Sequence, residues 1–183
     1  HNAKSKEELR QQIESKDWEN LLTKVPVKAG DFFYVPSGTM HAIGAGIMVL
    51  ETQQSSDTTY RVYDFDRKDD QGNLRELHLE KSIDVLTIGE PANSRPVTTK
   101  VDDLKSTLLV ANDFFAVYKW EISGKADFEK TADYSLFSVL AGQGSLLVDG
   151  QEYPIAKGVH FILPSDVQAW EIKGNLELIV SHP

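Results

Sequence analysis

The stretch GDFFYVPSGTMHAIGAG, Gly30 to Gly46, sets a histidine directly behind a Pro-x-Gly turn at the end of an aromatic run. Gly30 turns the chain into the run, and Pro36 ends it by fixing φ and withholding a backbone donor. Gly38 permits the positive φ of a tight reversal, after which His41 opens a returning segment. A histidine on a strand is ordinarily a packed or hydrogen-bonded residue. Its neutral ring is also a metal ligand, so the surrounding sequence has to decide.

On either side of this stretch the pattern is β-like. From Val25 the chain runs through short aromatic and β-branched segments punctuated by glycine, DFFYV, AIGAGIMVLE and TTYRVYDF, which predict strands. Before them, Ser5 and Glu8 have capping-box spacing, and Leu9 and Ile13 form an i, i+4 apolar pair, predicting a helix from 5 to about 15. Asp17 is placed to cap a second short helix carrying Trp18, Leu21 and Leu22. LEKSIDVLTI, 79 to 88, reads as a further helix, and the Pro, Asn and Ser density from Gly89 to Lys100 reads as a linker. Beyond it more strands are expected, with Asp149-Gly150 as a two-residue hairpin and Trp120 and Trp170 filling a second core. The chain thus divides near residue 95.

The two halves echo each other. Gly30, five residues, then Pro36-Ser37 is repeated as Gly158, five residues, then Pro164-Ser165. The same alignment puts Asp166 at the position of Gly38 and Ala169 at that of His41, so the second copy has lost the histidine. His160 on that copy has no companion ligand and reads as structural, and His78, just before a predicted helix, reads as a surface or capping residue.

Composition narrows the chemistry. The 183 residues are 40% hydrophobic and 26% charged, enough for one large or two small cores. With no cysteine, disulfides and thiolate metal sites are excluded, and a reducing, cytoplasmic compartment is the easier expectation. A net charge of −9 without a clustered Lys/Arg tract argues against nucleic acid as a partner, while leaving room for a small anion in a locally basic pocket. The longest apolar run, Ala42 to Leu50, has nine residues and is too short to span a bilayer, so no membrane partner is expected. The chain opens on His1 and goes straight into a helix, which leads us to expect a piece of something longer.

Gly30-(x5)-Pro36-x-Gly38-(x2)-His41 resembles the second conserved motif of the cupin superfamily, with Ala45 where many cupins have asparagine. Downstream, VPSGTMHAIGAGIMVLETQQSSDTTYRVYDFDR, Val35 to Arg67, is similar to the signature region of type I mannose-6-phosphate isomerases in their short bacterial form. The similarity continues through LHLEKSIDVLTIG, Leu77 to Gly89. The resemblance implies a mainly β fold. Residues 1–95 would be the C-terminal part of a catalytic cupin, a jelly-roll-like β-barrel with short N-terminal helices, and 96–183 a degenerate, metal-free cupin-like β domain.

It also implies an aldose–ketose isomerase that interconverts mannose 6-phosphate and fructose 6-phosphate with one zinc ion. His41 would be a zinc ligand, Arg61, closing the element that begins at Ser56-Asp57, an active-site residue, and Glu51 a further active-site candidate. The remaining ligands would belong to a segment before residue 1, so that the missing N-terminal part of the same enzyme becomes a required partner.

Read without the family, Glu51 and Arg61 are better explained as a cross-strand ion pair, worth about 0.2–1 kcal/mol. Reversals at Gly44–Gly46 and Ser55–Asp57 would bring 41, 51 and 61 to a common parity on adjacent strands. DFDRKDD, Asp64 to Asp70, superficially resembles a calcium loop, but Lys68, Asp69 and Arg75 fall at its fifth, sixth and twelfth positions, and calcium is not expected. Two other functions fit a cupin. One is a non-catalytic sugar-binding or regulatory protein, and the other a metal-dependent oxygenase, which would require a redox-active iron site.

Overall fold

Ser5 caps the first helix, its hydroxyl accepting from the Glu8 N–H at 3.1 Å, and α1 runs Lys6–Glu14. The Glu8 carboxylate accepts from the N–H of Lys4 at 2.7 Å, one residue earlier than a reciprocal box places it. Leu9 and Ile13 form the buried face of α1. A single turn, α2 (Trp18–Leu21), follows Asp17, whose carboxylate accepts from the Asn20 side chain and caps no backbone N–H. Helix α3 (Leu79–Val85) stops short of the predicted 88, because the Thr87 N–H is taken by the Gly38 carbonyl at 2.9 Å.

The computed structural model describes residues 1–56 and 58–183, in two compact units. The first comprises His1–Val49 with Ser55–Asn93, the second Leu50–Gln54 with Ser94–Pro183. In the first, Leu9, Ile13, Leu21, Ile83 and Leu86 make a small helical core against which Met40 and Val62 pack.

The second unit is antiparallel β. Strands β1 (Val97–Val101), β2 (Leu104–Ala111), β3 (Ala116–Glu129), β4 (Ser135–Val148), β5 (Gln151–Ala156), β6 (His160–Leu163) and β7 (Ala169–His182) form one sheet in the order β1-β2-β3-β7-β4-β5, with β6 on β4. Strand β7 is paired on both sides, with β3 from Ala116↔His182 to Glu129↔Ala169 and with β4 from Leu136↔Ser181 to Leu147↔Glu171. Ile172 and Leu178 on it are fully buried. Trp170 is buried with them, and Trp120 stacks on Phe128 at 4.3 Å, so both tryptophans enter this core as expected. Asp149 and Gly150 join β4 to β5 with φ of 50° and 79°, both central residues positive as a type I′ turn requires. The linker is shorter than the sequence implied: 97–100 belong to β1, held by the ladder to β2 and by a 2.9 Å bond between the Thr98 and Thr107 hydroxyls.

The strands expected between 25 and 77 do not form; among the described residues this span contains one isolated bridge, Lys68↔Leu74. The repeat shows why. Its two copies make the same turns: Asp31 N–H to Lys28 O and Thr39 N–H to Pro36 O in the first, Val159 N–H to Ala156 O and Val167 N–H to Pro164 O in the second. Between the turns, His160–Leu163 pairs with Ser135–Ser138 and becomes β6, whereas 32–35 has no ladder. Leu163 is 6% exposed, and its counterpart Val35 is 42% exposed. Extended backbone is a strand only when a neighbour takes its N–H and C=O groups.

Leu178→Ala should cost about 2–5 kcal/mol, the usual penalty for emptying a filled core site. Val101→Ala, on an edge strand and 65% exposed, should stay within about 0.5 kcal/mol. Urea unfolding followed by near-ultraviolet circular dichroism measures both.

Candidate functional site

The Pro-x-Gly turn is anchored rather than free. Pro36 accepts the Thr39 N–H at 3.1 Å, and Gly38 sits at φ 81°. A Cβ at Gly38 would lie 2.7 Å from the Val85 carbonyl oxygen and 2.8 Å from the Thr87 hydroxyl, so both the φ and the space demand glycine. Met40 then packs on the helical core, and the next residue, His41, points to solvent.

The His41 ring is oriented by its own turn: Nδ1 lies 2.9 Å from the Thr39 carbonyl oxygen. A carbonyl only accepts, so Nδ1 carries the proton and Nε2 keeps its lone pair facing outward. Metal-binding histidines are commonly held by such a bond, which fixes the tautomer and raises the basicity of the ligating nitrogen.

Arg61 precedes Val62, which packs on the same helical core as Met40. His41 and Arg61 thus each adjoin a residue fixed to one small cluster. The neighbour of Arg61 across the backbone is His78, not residue 51 as the hairpin reading expected. The His78 N–H donates to the Arg61 carbonyl at 2.7 Å, and the Arg61 N–H donates to His78 Nδ1 at 3.3 Å. Tyr63 stacks on Trp18 at 5.1 Å, tying the segment to α2. Glu51 is exposed and falls in the second unit, and the ladder that would have set 41, 51 and 61 opposite one another is absent among the described residues. Asp57, the second residue of the Ser-Asp element, lies outside the described residues.

Four further residues, Asp64, Arg67, Asp69 and Arg75, organise the chain beyond Arg61. Asp64 is buried; its carboxylate accepts from Nε and Nη2 of Arg75 and forms an ion pair with Arg67 at 3.1 Å. The Arg75 hydrogen bonds hold the Asp64 carboxyl below the usual carboxylate range, with Arg67, Arg75 and Arg61 adding their positive charge. Asp69 closes the intervening turn on itself, accepting from the N–H groups of Gln71 and Asn73 at 2.9 and 2.8 Å. Both of these bonds go to Oδ1, and Oδ2 accepts from the Asn73 side-chain amide at 3.4 Å. Sequence reading passed over the Asp64–Arg75 pair, although opposite charges flanking an Asp-Gln-Gly-Asn turn were visible as a signal.

Among the described residues, no three His, Asp or Glu side chains are grouped to hold a metal ion. On the second copy, His160 Nδ1 meets the Ser138 hydroxyl at 2.8 Å across the β4–β6 ladder, a structural role as read from the sequence.

The family model described as mannose-6-phosphate isomerase, cupin domain, matches residues 105–183. A mannose-6-phosphate isomerase of Streptococcus mutans is 64% identical over 182 residues, covering 100% of this chain and 58% of the relative. The mannose-6-phosphate isomerase ManA of Bacillus subtilis is 49% identical over 183 residues with the same coverage. The crystal structure of the mannose 6-phosphate isomerase from Bacillus subtilis superimposes with a TM-score of 0.92 at 44% identity, over 100% of this chain and 59% of that one. Over its whole length the chain is similar to mannose-6-phosphate isomerases. Its fold is mainly β and antiparallel and includes a cupin domain. It spans a little under three-fifths of the length of the relatives it matches. No helix among the described residues is long and apolar enough to cross a membrane.

The lowered Asp64 carboxyl makes a signed prediction. Its contribution to stability is complete above the ordinary carboxylate value of about 3.9 and is lost as pH falls through its lower native value. The stability gap between the native chain and Asp64→Asn should therefore be constant near neutrality and close in acid, as pH-dependent urea unfolding would register.

Proposed function

We propose that this chain is the part of a mannose-6-phosphate isomerase that supplies one metal-ligating histidine and the anion-stabilising arginine. In this reading the whole protein interconverts mannose 6-phosphate and fructose 6-phosphate. The observation that carries it is the oriented His41 ring: Nδ1–H is tied to Thr39 and Nε2 is left free and outward. Similarity to mannose-6-phosphate isomerases supports the reaction class.

The reaction moves a proton between C2 and C1 of the open-chain sugar through a cis-enediolate. It needs a base, a group that stabilises the developing oxyanion, and an anchor for the sugar. Arg61 provides the positive charge for the oxyanion, on a backbone held from both sides. His41 contributes one ligand to a zinc ion, which when bound polarises and orients substrate oxygens. Glu51 is our candidate for the proton transfer. One histidine does not make a zinc site of three or four ligands, so the others come from polypeptide beyond this chain, as its share of the relatives' length allows.

The same extra polypeptide accounts for the bare segment. Phe33 and Val35 are exposed while Phe32 and Tyr34 are half-buried, the alternation of a strand with one face uncovered. Met48 is 96% exposed, and 42–50 is exposed throughout. We assign this face to strands of the segment preceding residue 1, which would complete the cupin of residues 1–95. Residues 96–183 we read as the metal-free cupin-like domain, Ala169 having replaced the ligating position.

In the protein extended to the length of its relatives, Arg61→Ala should lower kcat and kcat/KM together by about 10²–10³, since an oxyanion donor acts in the transition state. Arg61→Lys should rescue poorly for want of the planar fork. Zinc content should be unchanged in both and lost in His41→Ala. Near-normal kcat in Arg61→Ala, with reduced thermal stability alone, would mean the residue is structural. Sugar-phosphate binding without turnover would favour the regulatory cupin.

A further inference from the structure

His78 stands at the N-cap position of α3, yet its side chain makes no cap bond there. The ring is turned to Arg61 instead. Its main-chain N–H gives to the Arg61 carbonyl at 2.7 Å while its Nδ1 receives the Arg61 N–H at 3.3 Å. One residue therefore closes a two-point clamp on the peptide groups flanking the Arg61 Cα. The geometry resembles a hydrogen-bonded antiparallel pair in which an imidazole nitrogen replaces one carbonyl.

The clamp fixes the tautomer. Nδ1 accepts a backbone N–H, so it bears no proton, and the ring proton lies on Nε2. The Glu76 carboxylate lies 3.8 Å from Nε2, on the protonated side, and the Tyr60 ring sits at 5.8 Å. The His78 side chain is 18% exposed, so the acceptor is largely shielded from competing water. Arg61 lies in a segment without a sheet ladder, and the strand bonds that would normally hold such a backbone are absent among the described residues. His78 does this work in their place.

We infer that His78 is the positioning residue for Arg61: its imidazole fixes the main chain from which the guanidinium reaches the substrate. This rests on the reading of Arg61 as the oxyanion stabiliser. Misplacing a reacting group by about 1 Å costs up to roughly a hundredfold in rate.

The test compares His78→Leu, His78→Asn, His78→Gln and Arg61→Ala in the protein extended to the length of its relatives, assayed well below each variant's melting temperature. His78→Leu should lower kcat by about ten- to a hundredfold, with normal zinc content and little change in KM. Asparagine carries its side-chain oxygen the same number of bonds from Cα as Nδ1, so His78→Asn should recover most of the rate. His78→Gln, one bond longer, should not. Imidazole ¹⁵N spectra of the unsubstituted protein should show His78 with Nδ1 unprotonated. A His78→Leu variant with full kcat beside a crippled Arg61→Ala overturns the inference alone. Equal losses in the Leu and Asn variants, or a proton on Nδ1, do the same. Full kcat in Arg61→Ala removes the catalytic reading, and the inference falls with it. Should His78→Leu fail to fold, the Asn–Gln contrast and the tautomer still decide.

Discussion

An extended chain needs a second chain to receive its hydrogen bonds, and that requirement governs this molecule more than any single side chain. Residues 28–39 and 156–167 contain the same glycine and proline punctuation and make the same two turns. Where Ser135–Ser138 is available as a neighbour, the run between the turns becomes a strand and Leu163 is buried. Where no neighbour is available, the run keeps its alternation of half-buried and exposed positions without a ladder. Local sequence sets the turns and the extended conformation; pairing supplies burial. β-propensity describes a fit to a half-buried surface and does not act on an isolated segment.

That distinction separates what could be read in the sequence from what could not. Features closed within a few residues were legible: the Ser5 cap, the Leu9–Ile13 face, the Asp149-Gly150 turn, the Pro36–Thr39 reversal. Several features that depend on a distant partner are not legible in this way. The strands at 31–35, 42–51 and 58–65 were inferred from composition, but their pairing is not contained in the chain's described residues. The first residues of β1 follow a Pro- and Ser-rich stretch that predicts linker, and pairing with β2 outweighs that local signal. The place of His78 before α3 suggests a surface or capping residue, whereas its ring bonds a residue 17 positions earlier. No local signal announces a contact of that kind.

For the candidate site, residue identity was legible through the motif and its resemblance, and orientation was not. The spacing places a histidine after the turn, but the bond from its Nδ1 to Thr39 is what assigns Nε2 as the free nitrogen. Likewise, the Ser-Asp-x-x-x-Arg element marks Arg61, while the clamp at His78 and the buried Asp64 with its two arginines fix the segment that carries it. Both arrangements rest on the helical core, through Met40 and Val62. A cluster of six buried residues from three helices and their flanks therefore supports the backbone on each side of the candidate site.

The second copy of the repeat differs from the first at the residue that seats the turn. At the position of Gly38 it has Asp166, which closes the same turn without the positive φ that Gly38 adopts. The Gly38 geometry brings its Cα against the Val85 carbonyl and the Thr87 hydroxyl, so the turn is seated on the end of α3 and the residue that follows is aimed by that seat. With aspartate the turn makes no such demand, and the chain passes directly into Ala169 and the long pairing of β7 with β3. The first copy keeps a closely approached glycine and an exposed histidine. The second exchanges both for a continuous ladder. Glycine stands where sterics require it, and the turn it seats orients the ring of the histidine that follows; the second copy, without that seat, gives its backbone to the sheet.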